Sequence, residues 1–358
     1  MMRCIEVFSL VGLGSALLLG CEKPEAHRDE SAAASDAGAS KVSDEPDLAK
    51  AVASVAASRP MAGGNGSPDG PPPTGIFAPG AADKAMAKGS SPTLTLGSDG
   101  SPPRVQLGPA PKPGSKRSGS IEIATQSDPR QGAIPISLAL TIEAQKPKAD
   151  ADAGAPGVTQ MVAKVTGATI NAPGVPAEIA SSVAKLKGSH VDYQVSPDGG
   201  GSNFRFDASK GADPAFRDAV HSLSDTLTVL TLPFPSKPVG VGAYWMVTTR
   251  DVVMGLDVVT YRLVKVEKVE GTSVAISLNT KRYAASPSFD IEGLPPEAPH
   301  SMVEFHAGGD GKFTIAAGEA FPKEGQLDSM IAAALGAPDP KTKQSAGVQL
   351  QTRATLAF

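Results

Sequence analysis

Ile134-Pro135-Ile136-Ser137-Leu138-Ala139-Leu140-Thr141-Ile142-Glu143 carries the clearest structural signal in the chain. Aliphatic residues occupy every second position, which is the period of a β-strand with one face in a core. A partner strand is expected at 158–170, across a loop at 146–157. That loop contains Ala149-Asp150-Ala151-Asp152-Ala153-Gly154, which has the look of a calcium loop. It lacks the third acidic position and the terminal Glu of an EF-hand, so it reads as a solvated hairpin loop.

The same period recurs outward from this point. Val191, Tyr193 and Val195 alternate with polar residues, and Pro197-Asp198-Gly199-Gly200 turns the chain toward Phe204 and Phe206. Later strands are predicted at 244–250, 257–269, 273–283, 302–307, 312–316 and 347–358, with Gly308-Gly309-Asp310-Gly311 as a hairpin turn. Three segments have helical spacing instead. One is 177–186, with Ile179, Val183 and Leu186. A second starts at Pro214 and aligns Phe216, Val220, Leu223 and Leu227. The third is 326–335, with Leu327, Met330, Ile331 and Leu335, stopped by Gly336 and Pro338. The fold class is therefore mainly β, a β-rich α+β body of antiparallel strands. Three strands and a hairpin occur in each of two halves, 91–230 and 231–358. That order suggests a duplicated β-meander or curved half-barrel with two or three packed helices.

Composition separates this body from what precedes it. Except for Phe8 and Phe77, every Phe, Tyr and Trp lies beyond residue 190. The stretch 21–90 is Ala, Ser, Gly, Pro and scattered charge, with the run Pro71-Pro72-Pro73 and a short helical patch at 48–58. It reads as a disordered tether, because it has too little apolar surface to offset the entropy of ordering. Such a flexible chain reaches roughly 45 Å. The folded body is expected over 91–358. A formal net charge of −4 argues against nucleic acid as a partner.

Residues 1–20 set the expected address. Arg3 gives a positive start and 5–19 is mostly apolar, too short for a comfortable membrane span but suited to a signal peptide. Glu6 interrupts the run near its polar boundary. The closing Leu18-Leu19-Gly20-Cys21 resembles a bacterial lipoprotein signal. That resemblance implies cleavage before Cys21 and a thioether-linked diacylglycerol on its sulfur, with two or three acyl chains as the membrane anchor. Glu22, where Asp favours inner-membrane retention, leans toward the outer membrane. The only other cysteine is Cys4, which leaves with the signal. The mature body is thus expected to have no disulfide, thiolate metal site or cysteine nucleophile.

Leu232-Pro233-Phe234-Pro235-Ser236-Lys237-Pro238-Val239-Gly240-Val241-Gly242-Ala243-Tyr244-Trp245 is similar to a segment of an exported protein family of uncharacterised function, common in myxobacteria. Tyr261 and the glycines before Phe313 fit the same pattern. The resemblance covers roughly 100–358 and implies fold and address, with no catalytic residues to transfer. Read physically, the prolines extend the chain, Gly240 and Gly242 permit a tight turn, and Trp245 opens a strand. Trp245 is the candidate ligand-binding residue, set against a plain role in the core.

Other chemistry is sparse. His300, Met302, Glu304 and His306 would share one face of a strand, with the two imidazoles about 20 Å apart. Only Glu304 and His306 could share a metal, and they are the metal candidates. Ser182-Val183-Ala184-Lys185 has the Ser-x-x-Lys spacing of penicillin-interacting acylases without their other motifs. His221 lies near Ser222, Ser224 and Asp225, but adjacent helix positions face different ways. Arg104, Lys112, Lys116 and Arg117 form a basic patch suited to a solvated loop or an anionic surface. No cofactor motif occurs. The expected function is a non-enzymatic, lipid-anchored cell-envelope protein that shelters an apolar ligand such as lipid. A structural or scaffolding module that contacts another envelope protein is the alternative, and a hydrolase is the third reading.

Overall fold

The computed structural model describes residues 72, 74–108, 111–126, 132–145, 157–213, 216–253, 255–289, 301–319, 321–336 and 346–358. Cys21, the expected signal, the first part of the expected tether and the 149–154 loop lie outside them, as do Pro214, His300 and Pro338.

Fourteen strands and three helices occur among the described residues, and the body is mainly antiparallel β. Strand β1 is Thr93–Ser98 and β2 is Ser101–Val105. A five-stranded meander follows: β3 (Lys116–Gln126), β4 (Ile134–Ala144), β5 (Thr159–Ile170), β6 (His190–Val195) and β7 (Gly201–Asp207). Short β8 (Val239–Val241) pairs with β2. A six-stranded meander completes the chain: β9 (Tyr244–Val253), β10 (Leu256–Glu270), β11 (Ser273–Ala284), β12 (Met302–Ala316), β13 (Glu324–Leu335) and β14 (Ala346–Ala357). The meanders are spliced into one twelve-stranded sheet. The final strand lies against the first meander strand, in register from Gln351 opposite Gln126 to Ala357 opposite Ser120.

The alternation of β4 is realised from Ile136 onward, while Ile134 at the start of the strand is exposed. Ile136, Leu138, Leu140 and Ile142 are buried, whereas Ser137, Thr141 and Glu143 are half-buried on the other face. The buried face, called inner here, meets helix α3 (Arg217–Leu230), whose Leu223, Leu227 and Leu230 join the main core. Laid flat, the sheet edges would lie about 50 Å apart. Instead, a Cβ on Gly200, in the β6–β7 turn, would lie 3.3 Å from Pro92 just before β1. The sheet therefore rolls around α3, while β1 and β7 do not pair to close a barrel.

Two helices stand where helical spacing placed them, α3 and α2 (Ala177–Ala184), the latter burying Val183. The third expected helix, at 326–335, is strand β13. Leu327 and Ile331 lie on the inner face and Met330 on the outer, and all twelve residues are paired with both neighbours. Tertiary pairing overrides the helical preference of Ala332, Ala333 and Ala334. The expected Gly-rich hairpin is also absent, because Gly308 to Gly311 run through the middle of β12. Here the glycines serve close strand approach. A Cβ at Gly308 would lie 2.5 Å from the Thr280 carbonyl oxygen, and one at Gly309 would lie 2.2 Å from that of Asp328.

Order also begins before residue 91. The β11–β12 pairing stops at Arg282 opposite Ala307, and residues 74–77 fill the gap beyond. Phe305 N donates to the Thr74 carbonyl at 2.8 Å, and Ala284 N to that of Gly75 at 2.9 Å. Gly75 has φ +73°, and a Cβ there would lie 1.6 Å from the Phe305 carbonyl oxygen. The short helix α1 (Ala81–Ala85) then lays Ala82 and Met86 on Val259 and Ala285 of the outer face.

Candidate functional site

The Pro-rich segment 232–245 forms one wall of the core. Gly240 passes so close to β2 that a Cβ would lie 1.8 Å from the Ser101 carbonyl oxygen. Gly242 turns at φ +79° and donates its N–H to Val266. Trp245, fully buried, donates its indole N–H to the Pro233 carbonyl at 3.2 Å and meets Phe234 edge to face. Its one polar atom is satisfied within the core, so it serves there as a packing anchor.

Glu304 and His306 do come together, with the imidazole Nε2 3.3 Å from the carboxylate, both half-exposed on the outer face. Met302 does not share that face as expected. A bulge between Met302 and Glu304 reverses the alternation and turns Met302 inward with Phe305. The basic patch is largely paired. Arg104 meets Asp99, Lys116 meets Glu143, and Arg117 meets Glu319 while lying over the Phe358 ring. His221 packs on Phe206, whereas Asp225 is committed to Arg282. Among the described residues Lys185 and Ser182 meet only through the backbone, the Lys185 N–H donating to the Ser182 carbonyl at 3.2 Å, with no hydrogen bond between their side chains.

A triad with no signature in the sequence comes from strand register. His190 lies opposite Asp207 and two residues from Asp192, with Nε2 to carboxylate distances of 3.6 and 3.5 Å. Each pair is individually ordinary, and only the β6–β7 pairing brings the three within 4.8 Å.

The inner face holds the most unusual arrangement. The main core occupies one end and a second apolar cluster, with Val258, Phe305 and Met302, the other. Between them runs a polar belt on β9–β11: Thr249, Asp251, Thr260, Arg262, Thr280 and Arg282. Helix α3 supplies Asp225, which accepts from both terminal nitrogens of Arg282 at 2.6 and 3.1 Å. Arg262 is 1% exposed and has no carboxylate at ion-pair distance among the described residues. Burial lowers its pKa to about 10, with Asp251 opposing that shift and Arg282 adding to it, so it stays cationic at neutral pH.

Beside the second cluster the inner face is less covered. Ile331, Ala333 and Leu335 of β13 are half-buried, and across the register lie Leu350 and Val348, the latter 43% exposed. A groove of about 860 Å³ crosses β11–β14 and β3, lined by Lys281, Asp310, Asp328, Met330 and Arg353 of the outer face and also by Thr280, Arg282 and Phe305 of the inner one. No helix among the described residues is long and apolar enough to cross a membrane. No family model matches the chain, and no curated protein is found to match it.

Proposed function

We propose that this is a non-enzymatic cell-envelope protein, anchored through lipid on Cys21 and held off the outer membrane by its tether. Its rolled sheet binds an amphiphilic ligand on the inner face. The observation that carries the reading is the half-exposed apolar strip Ile331, Ala333, Leu335, Leu350 and Val348, continuous with a buried apolar cluster. Exposed strips of this kind mark ligand or partner sites more often than chance surface. Native mass spectrometry of the mature protein tests it. A discrete added mass of a lipid is the expected result, and a clean apo mass that persists after incubation with acyl lipids refutes it.

The groove across β11–β14 and β3 favours a second reading, an interaction module for another envelope protein. Both signs of charge line it, which suits a polypeptide surface better than an acyl chain. Substitution of Met330 by Arg then abolishes partner cross-linking at the groove while leaving lipid mass unchanged. For the hydrolase reading, the Ser182–Lys185 and His221–Asp225 geometries offer no support.

A further inference from the structure

We infer that Arg262 forms an internal oxyanion site, where the acidic head of an acyl ligand docks. The inference deepens the amphiphile-binding reading and rests on it.

Seven buried side-chain nitrogen or oxygen atoms lack a hydrogen-bond partner among the described residues. Six of them sit together in the inner belt: Thr249 Oγ1, Asp251 Oδ2, Arg262 Nε and Nη2, Thr280 Oγ1 and Arg282 Nε. Folded proteins leave few such atoms unmet, because each has given up its hydrogen bonds to water without a replacement. Six in adjoining rows of three strands mark a place built for a polar occupant.

The chemistry of that occupant follows from which atoms are unmet. Five of the six can donate, and only Asp251 Oδ2 can solely accept. Arg262 presents the Nε and Nη2 edge of its guanidinium, the fork that matches both oxygens of a carboxylate or phosphate. This protein shows that fork filled elsewhere. At Arg250 the same two atoms hold the two oxygens of Asp257 at 2.9 and 3.1 Å. Arg282 is already met by Asp225, whereas the fork of Arg262 is unmet, the neighbouring Asp251 opposing its charge without filling that fork. Buried guanidinium donors without an acceptor destabilise the empty fold, and an incoming oxyanion supplies the acceptor. The apolar cluster at the edge of the belt, from Val258 to Phe305 and Ile331, is the surface on which the attached chain lies.

The test uses isothermal titration of the mature chain, with Cys21→Ser in place of the lipidated cysteine, against decanoate, decyl phosphate and decanol. One of the two acids is expected to bind at least about tenfold tighter than the alcohol, and which acid does so identifies the head group. Arg262→Met reduces that acid to the affinity of decanol, while the melting temperature of the empty protein stays level or rises. Equal affinity for acids and alcohol in the unmutated chain overturns the oxyanion site and leaves amphiphile binding standing. So does an Arg262→Met variant that keeps the preference for acid. Failure of all three probes to bind overturns both readings.

Discussion

At the scale of single residues, Trp245 and Tyr193 report on the core most directly. Trp245→Ala removes the largest buried side chain together with its bond to Pro233, and should cost about 3–5 kcal/mol in urea unfolding. As the only tryptophan, it reports the unfolding of the unmutated protein by a red shift of its emission, and circular dichroism follows the variant and the unmutated protein alike. Tyr193 is stacked on Phe204, and burial raises its phenol pKa well above the ordinary value near 10. Its contribution to stability is complete below about pH 10 and is lost as pH climbs further, since only the unfolded phenol ionises there. Arg262 has the opposite sign. Its folded pKa is depressed, so the cost of its buried charge is relieved as pH rises past about 10. Above that pH, Tyr193→Phe should lose stability less steeply than the unmutated protein, and Arg262→Met more steeply. Denaturant titrations across the alkaline range check both slopes.

At the scale of elements, Arg250 ties helix α1 to the sheet. Arg250, nearly buried, spans β10 and the helix: it grips Asp257 and also donates to Asp83 at 2.5 Å and to the Met86 carbonyl at 2.9 Å. A five-residue helix has no stability of its own. Arg250→Gln should therefore release it, with a loss of about 1.5–3 kcal/mol and rapid tryptic cleavage after Lys84 and Lys88. Unchanged cleavage kinetics would show that the apolar contacts of Ala82 and Met86 suffice. The elements also divide by legibility. Strand β4 and helix α3 were readable because their apolar period has one solution. In β13, Leu327, Ile331 and Leu335 fit a helix face and also fit every second or fourth place of a strand, and pairing with both neighbours decided between them. The glycines of β12 read as a turn, because sequence shows glycine's freedom but not the carbonyls of Thr280 and Asp328 that exclude a side chain.

For the molecule as a whole, the splice between β14 and β3 makes the two meanders interdependent. A chain ending at residue 345 loses Ala354 and Leu356 from the core and exposes the edges of both β3 and β13. Long unpaired edges recruit other chains, so this truncation should aggregate, and neither 91–230 nor 231–358 should give a cooperative melt alone. Size-exclusion chromatography and calorimetry test this, and a monomeric, two-state half would refute it. Alternation, helical spacing and the late concentration of aromatics were enough to define a mainly β antiparallel body with a few helices, because those signals are local. The splice, the seam of residues 74–77 and the His190, Asp192 and Asp207 triad depend on partners far away in sequence. So does the polar belt, since Arg262 and Arg282 look like ordinary strand cations until their side chains are placed. Which of them meets a carboxylate depends on how α3 packs against the sheet, and the tertiary fold alone decided that.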